Sequence, residues 1–212
     1  MKKNFAEFLG TYALVFACTG AVIINQQSHG TITHVGMATT CGLIIMGMIY
    51  AFGDISGAHL NPAVTIAFTI AGRFPLKQLV PCITSQLCGG LLASLTLKCM
   101  FPTNELLGST IPSGSDLQSF VMEIILAFFL MLVIINVSSG SREQGMFAGI
   151  AIGGMVAVEV MFAGPVSGGS MNPVRSLSPA LVSGHLAHVW IYVIAPVAGA
   201  VLAIPVFKIL KQ

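Results

Sequence analysis

Two asparagine–proline pairs stand 111 residues apart, each within a matching run: Ser56-Gly57-Ala58-His59-Leu60-Asn61-Pro62-Ala63-Val64 and Ser167-Gly168-Gly169-Ser170-Met171-Asn172-Pro173-Val174-Arg175. Asparagine is a favoured helix N-cap, and proline is favoured at the first helical position, where its missing N–H would have had no partner anyway. Each pair therefore starts a helix. If the side-chain oxygens of Asn61 and Asn172 cap backbone N–H groups, each side-chain NH2 is left as a donor, and each helix start adds a positive dipole end of up to about half a charge. Such a pair can donate to a passing water or hydroxyl group while opposing cations and protons. The small residues at 57–60 and 168–171 leave carbonyls as acceptors, with the glycines permitting close approach. A second echo pairs Glu7, five residues before Tyr12, with Glu123, five before Phe128. A buried carboxylate is costly unless hydrogen-bonded, so both glutamates are expected to accept from the backbone of the two Asn-Pro loops. Proton relay is the alternative, for which no chain of titratable groups is present.

These residues need elements to hold them. Only 8% of the 212 residues are charged and 55% are apolar, with a mean hydropathy of +0.91, so the chain cannot clothe a water-facing surface and must be solvated by lipid. Six stretches, 5–24, 34–53, 78–97, 118–137, 146–163 and 188–207, are long enough to cross ~30 Å of hydrocarbon. The two Asn-Pro helices, 62–71 and 173–181, reach only ~15 Å at the helical rise, half a bilayer. Irregular backbone at that depth is tolerated inside protein or along a water-filled cavity. Each half thus holds three spans with its Asn-Pro segment after the second. Three is odd, so the second half enters from the opposite face, an inverted repeat with a site expected near the midplane. We expect one transmembrane domain over 1–212, with repeat 1 at about 1–100 and repeat 2 at about 115–212.

Charge sets the orientation. With both termini cytoplasmic, Lys2, Lys3, Arg73, Lys77, Arg142, Lys208 and Lys211 lie inside, against Lys98 and Arg175 outside, as the positive-inside rule asks. Glu7 interrupts the first apolar run and no small-residue cleavage site follows, so the first span is expected to be retained. A net charge of +2 carries no nucleic-acid signal. Cys18, Cys41, Cys82, Cys88 and Cys99 form neither an even framework nor a metal spacing.

The paired boxes Asn61-Pro62-Ala63 and Asn172-Pro173-Val174, Arg175 three residues after the second asparagine, and Glu7 and Glu123 in the first and fourth spans resemble the signature of the major intrinsic protein family, the aquaporins, over essentially the whole chain. That resemblance implies an all-α membrane fold of six transmembrane helices plus two re-entrant half-helices. It further implies a homotetramer in the lipid bilayer with one pore per subunit, passing water and small uncharged solutes, without cofactor or metal. A selectivity filter is implied at Cys41, Val160, Gly169 and Arg175. Val174 departs from the family's commonest alanine, which should alter packing more than chemistry. Orthodox water channels carry an aromatic and a histidine at the first two filter positions, and glycerol facilitators use bulky aromatics and often an aspartate after the arginine; here Ser176 follows Arg175. The small filter residues and the run 163–173 are similar to the nodulin-26-like branch, associated with water, glycerol, urea and uncharged metalloid acids such as arsenous, boric or silicic acid.

Arg175 is expected beside the pore, since an intramembrane arginine is functional by default. Glu159 precedes Val160 and so lies ~100° round the helix from the lumen; it braces Arg175 or a subunit contact, and both placements stay open. His59 lines or gates the inner vestibule, or packs as a loop histidine. His29, His34, His185 and His188 fall near the outer mouth without a metal-type spacing. Gly149-Ile150-Ala151-Ile152-Gly153 reads as a helix-packing signature. Against a passive channel stand a water-selective aquaporin and an ion-coupled transporter, the latter lacking convergent pore carboxylates. An intramembrane enzyme would need a nucleophile–base or metal constellation that does not converge here. A structural junction would need occluded pores.

Overall fold

The computed structural model describes residues 1–141 and 145–211; Arg142, counted above among the cytoplasmic-side cations, lies outside the described residues. The described chain forms α1 (Lys2–Gln27), α2 (Thr33–Ser56), α3 (Pro62–Ile70), α4 (Leu76–Met100), α5 (Asp116–Val137), α6 (Ala148–Ser167), α7 (Pro173–Ser183) and α8 (Val189–Leu210). Six of these are long and apolar enough to cross a membrane, and the order long, long, short, long occurs twice. At 1.5 Å per residue the short α3 and α7 span about half a bilayer each. The halves interlock: α1 packs on α4 and α5 on α8, α2 crosses α6, and α3 and α7 each lie against the last long helix of the opposite half.

Close approach at the crossings is built from glycine. A Cβ on Gly42 would land on the Gly153 carbonyl, and one on Gly153 would land on the Gly42 carbonyl, so α2 and α6 touch backbone to backbone at equivalent points of the two repeats. Likewise a Cβ on Gly89 of α4 would strike the Phe8 carbonyl of α1, and one on Gly199 of α8 the Ile124 carbonyl of α5. Gly149 lies against the Tyr50 ring, so the Gly149–Gly153 signature is a packing surface. Small residues matter here because lipid tails are as apolar as the helix faces, leaving close van der Waals contact to hold helices together.

Several boundaries differ from the spans expected from apolar length. The helix α6 continues past 163 to Ser167, although Pro165 lies within it. Proline lacks the N–H that would bond the Met161 carbonyl. The ring Nε2 of His34 donates to that carbonyl instead, at 2.7 Å. Both α2 and α6 end on a left-handed glycine, Gly57 at φ 92° and Gly168 at φ 89°, and the chain then turns inward toward its Asn-Pro helix.

Replacing Gly42, Gly153, Gly89 or Gly199 by alanine should destabilise the fold by about 1–3 kcal/mol each, because the obstructing atom is backbone and overpacking cannot be relieved by a rotamer change. Gly154→Ala, which meets open space, is the control. Thermal unfolding of purified protein in detergent measures this; glycine variants as stable as the control would contradict the backbone-contact account.

Candidate functional site

The two loops between helices carry the same backbone twice. Gly57, Ala58 and Leu60 have φ of 92°, 46° and 52°, and Gly168, Gly169 and Met171 have 89°, 57° and 50°. A left-handed conformation is strained for any residue but glycine, so something must hold Ala58, Leu60 and Met171. That something is a buried carboxylate in each half. Glu7, 1% exposed, accepts from Ser56 Oγ at 2.7 Å and the His59 N–H at 2.9 Å on one oxygen, and from the Leu60 N–H and Gln86 Nε2 on the other, both at 2.8 Å. Glu123 accepts from Ser167 Oγ at 2.8 Å, the Ser170 N–H at 2.9 Å and the Met171 N–H at 2.8 Å. The acceptor role expected of both glutamates is what the geometry contains.

Beyond the loops, Asn61 and Asn172 cap α3 and α7 from extended backbone. The Asn61 side-chain oxygen accepts from Ala63 N–H at 2.9 Å, and that of Asn172 accepts from Val174 and Arg175 N–H at 3.0 and 3.4 Å; Pro62 and Pro173 take the first helical position. The expectation that each NH2 faces wholly into the lumen needs correction. Asn61 Nδ2 donates to the Met171 carbonyl at 2.8 Å, and Asn172 Nδ2 donates to the Leu60 carbonyl at 2.9 Å. One N–H of each amide thus ties the two halves together and one remains for the cavity. The Leu60 and Met171 carbonyls each accept one of these bonds.

A cavity of about 860 Å³ runs past both asparagines, from Tyr50, Asp54 and Ser141 at one mouth to Cys41, Val160, Gly169 and Arg175 toward the other. All four residues assigned to a filter therefore line one lumen. Arg175 is the cation among its described lining residues, and its guanidinium is anchored by donation to the Gly108 carbonyl at 3.0 Å. Ala63, Pro62, Pro173 and Val174 are buried behind the lining, Val174 facing Gly90 of α4, in line with a packing role. His59 combines the readings left open: it lines the cavity, and its ring stacks on Phe68 and tilts on Phe74, each at 4.9 Å.

Of the two placements left open for Glu159, the one that braces Arg175 is not what the structure contains. Both carboxylate oxygens are buried without a hydrogen-bond partner among the described residues, Glu159 does not line the cavity, and Arg175 is held by Gly108. Of the other histidines, His34 is occupied by Met161, and His188 Nδ1 pairs with Asp116 at 2.9 Å. Sequence reasoning missed Gln86, which serves Glu7 and also donates to Thr65 Oγ1 at 3.0 Å. It also missed Tyr192, which donates to the Ser167 carbonyl at 2.6 Å, and Cys18, which shares the lining with Cys41. Only the serines of the clamp, Ser56 and Ser167, were visible in the repeated run.

Glu7→Gln and Glu123→Gln should each cost about 2 kcal/mol or more, since an acceptor oxygen becomes a donor facing N–H groups and hydrogen bonds to a charged acceptor are worth ~1.5–3 kcal/mol. Folded yield and thermal midpoint in detergent measure it. A variant with unchanged midpoint at either position would show that the loops hold themselves.

Comparison with known proteins agrees with this geometry. Residues 1–207 match the family described as Major intrinsic protein. The whole chain is 49% identical to Aquaporin NIP1-1 of Zea mays, covering 75% of that protein, and 45% identical to Nodulin-26 of Glycine max, covering 78%. Its fold superposes on the X-ray structure of the aquaglyceroporin from Plasmodium falciparum with a TM-score of 0.85 at 23% identity, covering 98% of each chain. The chain belongs to the major intrinsic protein family of membrane channels and is similar to its nodulin-26-like members.

Proposed function

We propose that this protein is a passive channel for water and small uncharged solutes such as glycerol, urea and metalloid acids, closed to ions and protons. The observation that carries the reading is the meeting of two capped helix N-termini across one lumen, each asparagine keeping one amide N–H free for a solute oxygen. Two positive dipole ends and the Arg175 guanidinium lie on the same path. A cation would meet three positive centres in a wall of low dielectric, where electrostatic energies are much larger than in water. Neutral hydroxylated solutes meet donors at the asparagines and acceptors on the loop carbonyls. Asp54, at one mouth, is the carboxylate among the described lining residues, so no convergent acidic site favours ion coupling.

In this reading Cys41, Val160, Gly169 and Arg175 form the selectivity filter, and the small first three admit solutes wider than water. Residues 1–212 act as one channel domain, its repeats at about 1–100 and 115–212, with both termini on the cytoplasmic side and four copies associating in the bilayer, each with its own pore.

Stopped-flow light scattering on proteoliposomes tests the function directly, with water, glycerol, urea and boric acid fluxes each expected above protein-free vesicles. Those fluxes should be electrically silent, and a proton current that scales with solute flux would overturn the charge-exclusion account. Cys41→Trp should reduce glycerol and boric acid permeability much more than water permeability, because bulk narrows a pore without removing its donors. Folded Cys41→Trp protein with an unchanged ratio of solute to water permeability would show that Cys41 is not part of the filter.

A further inference from the structure

The filter end of the lumen holds a second thiol. Cys18 of α1 and Cys41 of α2 both line the cavity, both are almost wholly buried at 2% and 6% exposure, and neither is in a disulfide. Arg175 lines the same cavity. The helices that carry them pack directly. The other three cysteines lie elsewhere: Cys82 behind the first half-helix against Thr65 and Gln86, and Cys88 and Cys99 on the exposed side of α4.

We propose that Cys18 and Cys41 form a dithiol site that captures trivalent arsenic from the lumen. This rests on the reading of the cavity as a path for small neutral solutes, because arsenous acid must reach the filter to react. Thiolate sulfur is the nucleophile in cysteine chemistry and a soft ligand that selects soft centres. Trivalent arsenic is such a centre, and it is delivered as a neutral trihydroxide of about the size of glycerol. Each thiol forms one As–S bond as one As–O bond breaks, and each thiol proton leaves with the displaced hydroxide as water. Two waters are released, arsenic stays trivalent and carries one remaining hydroxyl, and no oxidant or reductant is consumed. The product staples α1 to α2 across the filter and places the arsenic atom beside Arg175. Two bonds to one atom make the adduct persist through washing. A competing dithiol in solution exchanges it off. A channel that admits arsenous acid is thereby closed by it.

The test uses full-length protein carrying Cys88→Ser and Cys99→Ser, reconstituted in proteoliposomes and incubated with arsenous acid. Intact mass spectrometry should show one arsenic per chain, and water permeability should fall several-fold and return on adding dithiothreitol. Adding either Cys18→Ser or Cys41→Ser should abolish both the adduct and the arsenic-dependent fall, each variant being compared with itself without arsenic. An adduct or block that survives in either single variant, or no adduct on the parent, overturns the proposal. If a serine variant fails to fold, alkylation mapping on the parent decides: arsenous acid should protect Cys18 and Cys41 together from iodoacetamide, and protection of one alone or neither counts against the site. Influx of arsenous acid, measured separately, keeps the two readings apart. Read on the Cys18→Ser variant, which the adduct cannot close, absent arsenic flux beside an adduct on the parent leaves the dithiol site standing and removes metalloid acids from the solute range, while flux through the parent without an adduct does the reverse.

Discussion

Two stretches of backbone, 57–61 and 168–172, cross the middle of the bilayer as neither helix nor strand, and Glu7 and Glu123 make that possible by taking up their N–H groups. Non-helical backbone at this depth has no water to turn to along a lipid face, and each orphaned group would cost several kcal/mol. The loops add strain of their own at Ala58, Leu60 and Met171, whose left-handed φ values cost ~1–2 kcal/mol apiece. Against this stand four hydrogen bonds to Glu7 and three to Glu123, each worth ~1.5–3 kcal/mol for a charged acceptor. The direction of the two helix starts follows from backbone held in this way.

The second constraint couples the halves. Because Asn61 reaches the Met171 carbonyl and Asn172 reaches the Leu60 carbonyl, the separation of the two helix starts is set by two short side chains. A one-residue slip of either loop would break both cross-bonds and leave buried donors and acceptors unmatched, at ~1–3 kcal/mol for each group. The glycine contact of Gly42 with Gly153 performs the same service between α2 and α6. Register is thus fixed at two places, and in both the residues involved are repeat equivalents.

Much of this was legible in the chain because it is written twice. The repeated run located both half-helices, and the offset of Glu7 and Glu123 identified the loop acceptors before any contact was known. The fold class followed from hydropathy and from the odd number of spans per half. What the chain hid are contributions without an echo. Gln86 and Tyr192 support the two loops from α4 and α8 with different chemistry, so comparing the halves cannot reveal them. Cys18 stood out from the other cysteines by no spacing, because nothing in the sequence relates α1 to α2. The position of Glu159 was open because an angle round a helix says which way a residue turns and not what it meets there. The amide of each asparagine was over-counted as a lumen donor for a related reason: its partner carbonyl lies in the other half and is met only after folding.

The repeat is also broken in its charge. Arg175 of the second run stands opposite Val64 of the first, at the same offset from its asparagine, and both line the cavity. An inverted pair of arginines would put a fixed charge on each side of the asparagines, and a solute would cross two desolvating barriers in series. One arginine confines the barrier to one end. It also leaves the asparagine region bounded on the other side by apolar Val64 and Phe68 with the stacked His59 ring. Supporting groups diverge to match: Thr65 bonds the Asn61 carbonyl and Gln86, whereas Ser176 at the equivalent place bonds Ser170 and Thr110, next to the loop whose Gly108 carbonyl anchors Arg175. Symmetric backbone with an asymmetric charge lets one architecture hold two loops at the midplane while confining its fixed positive charge to a single depth.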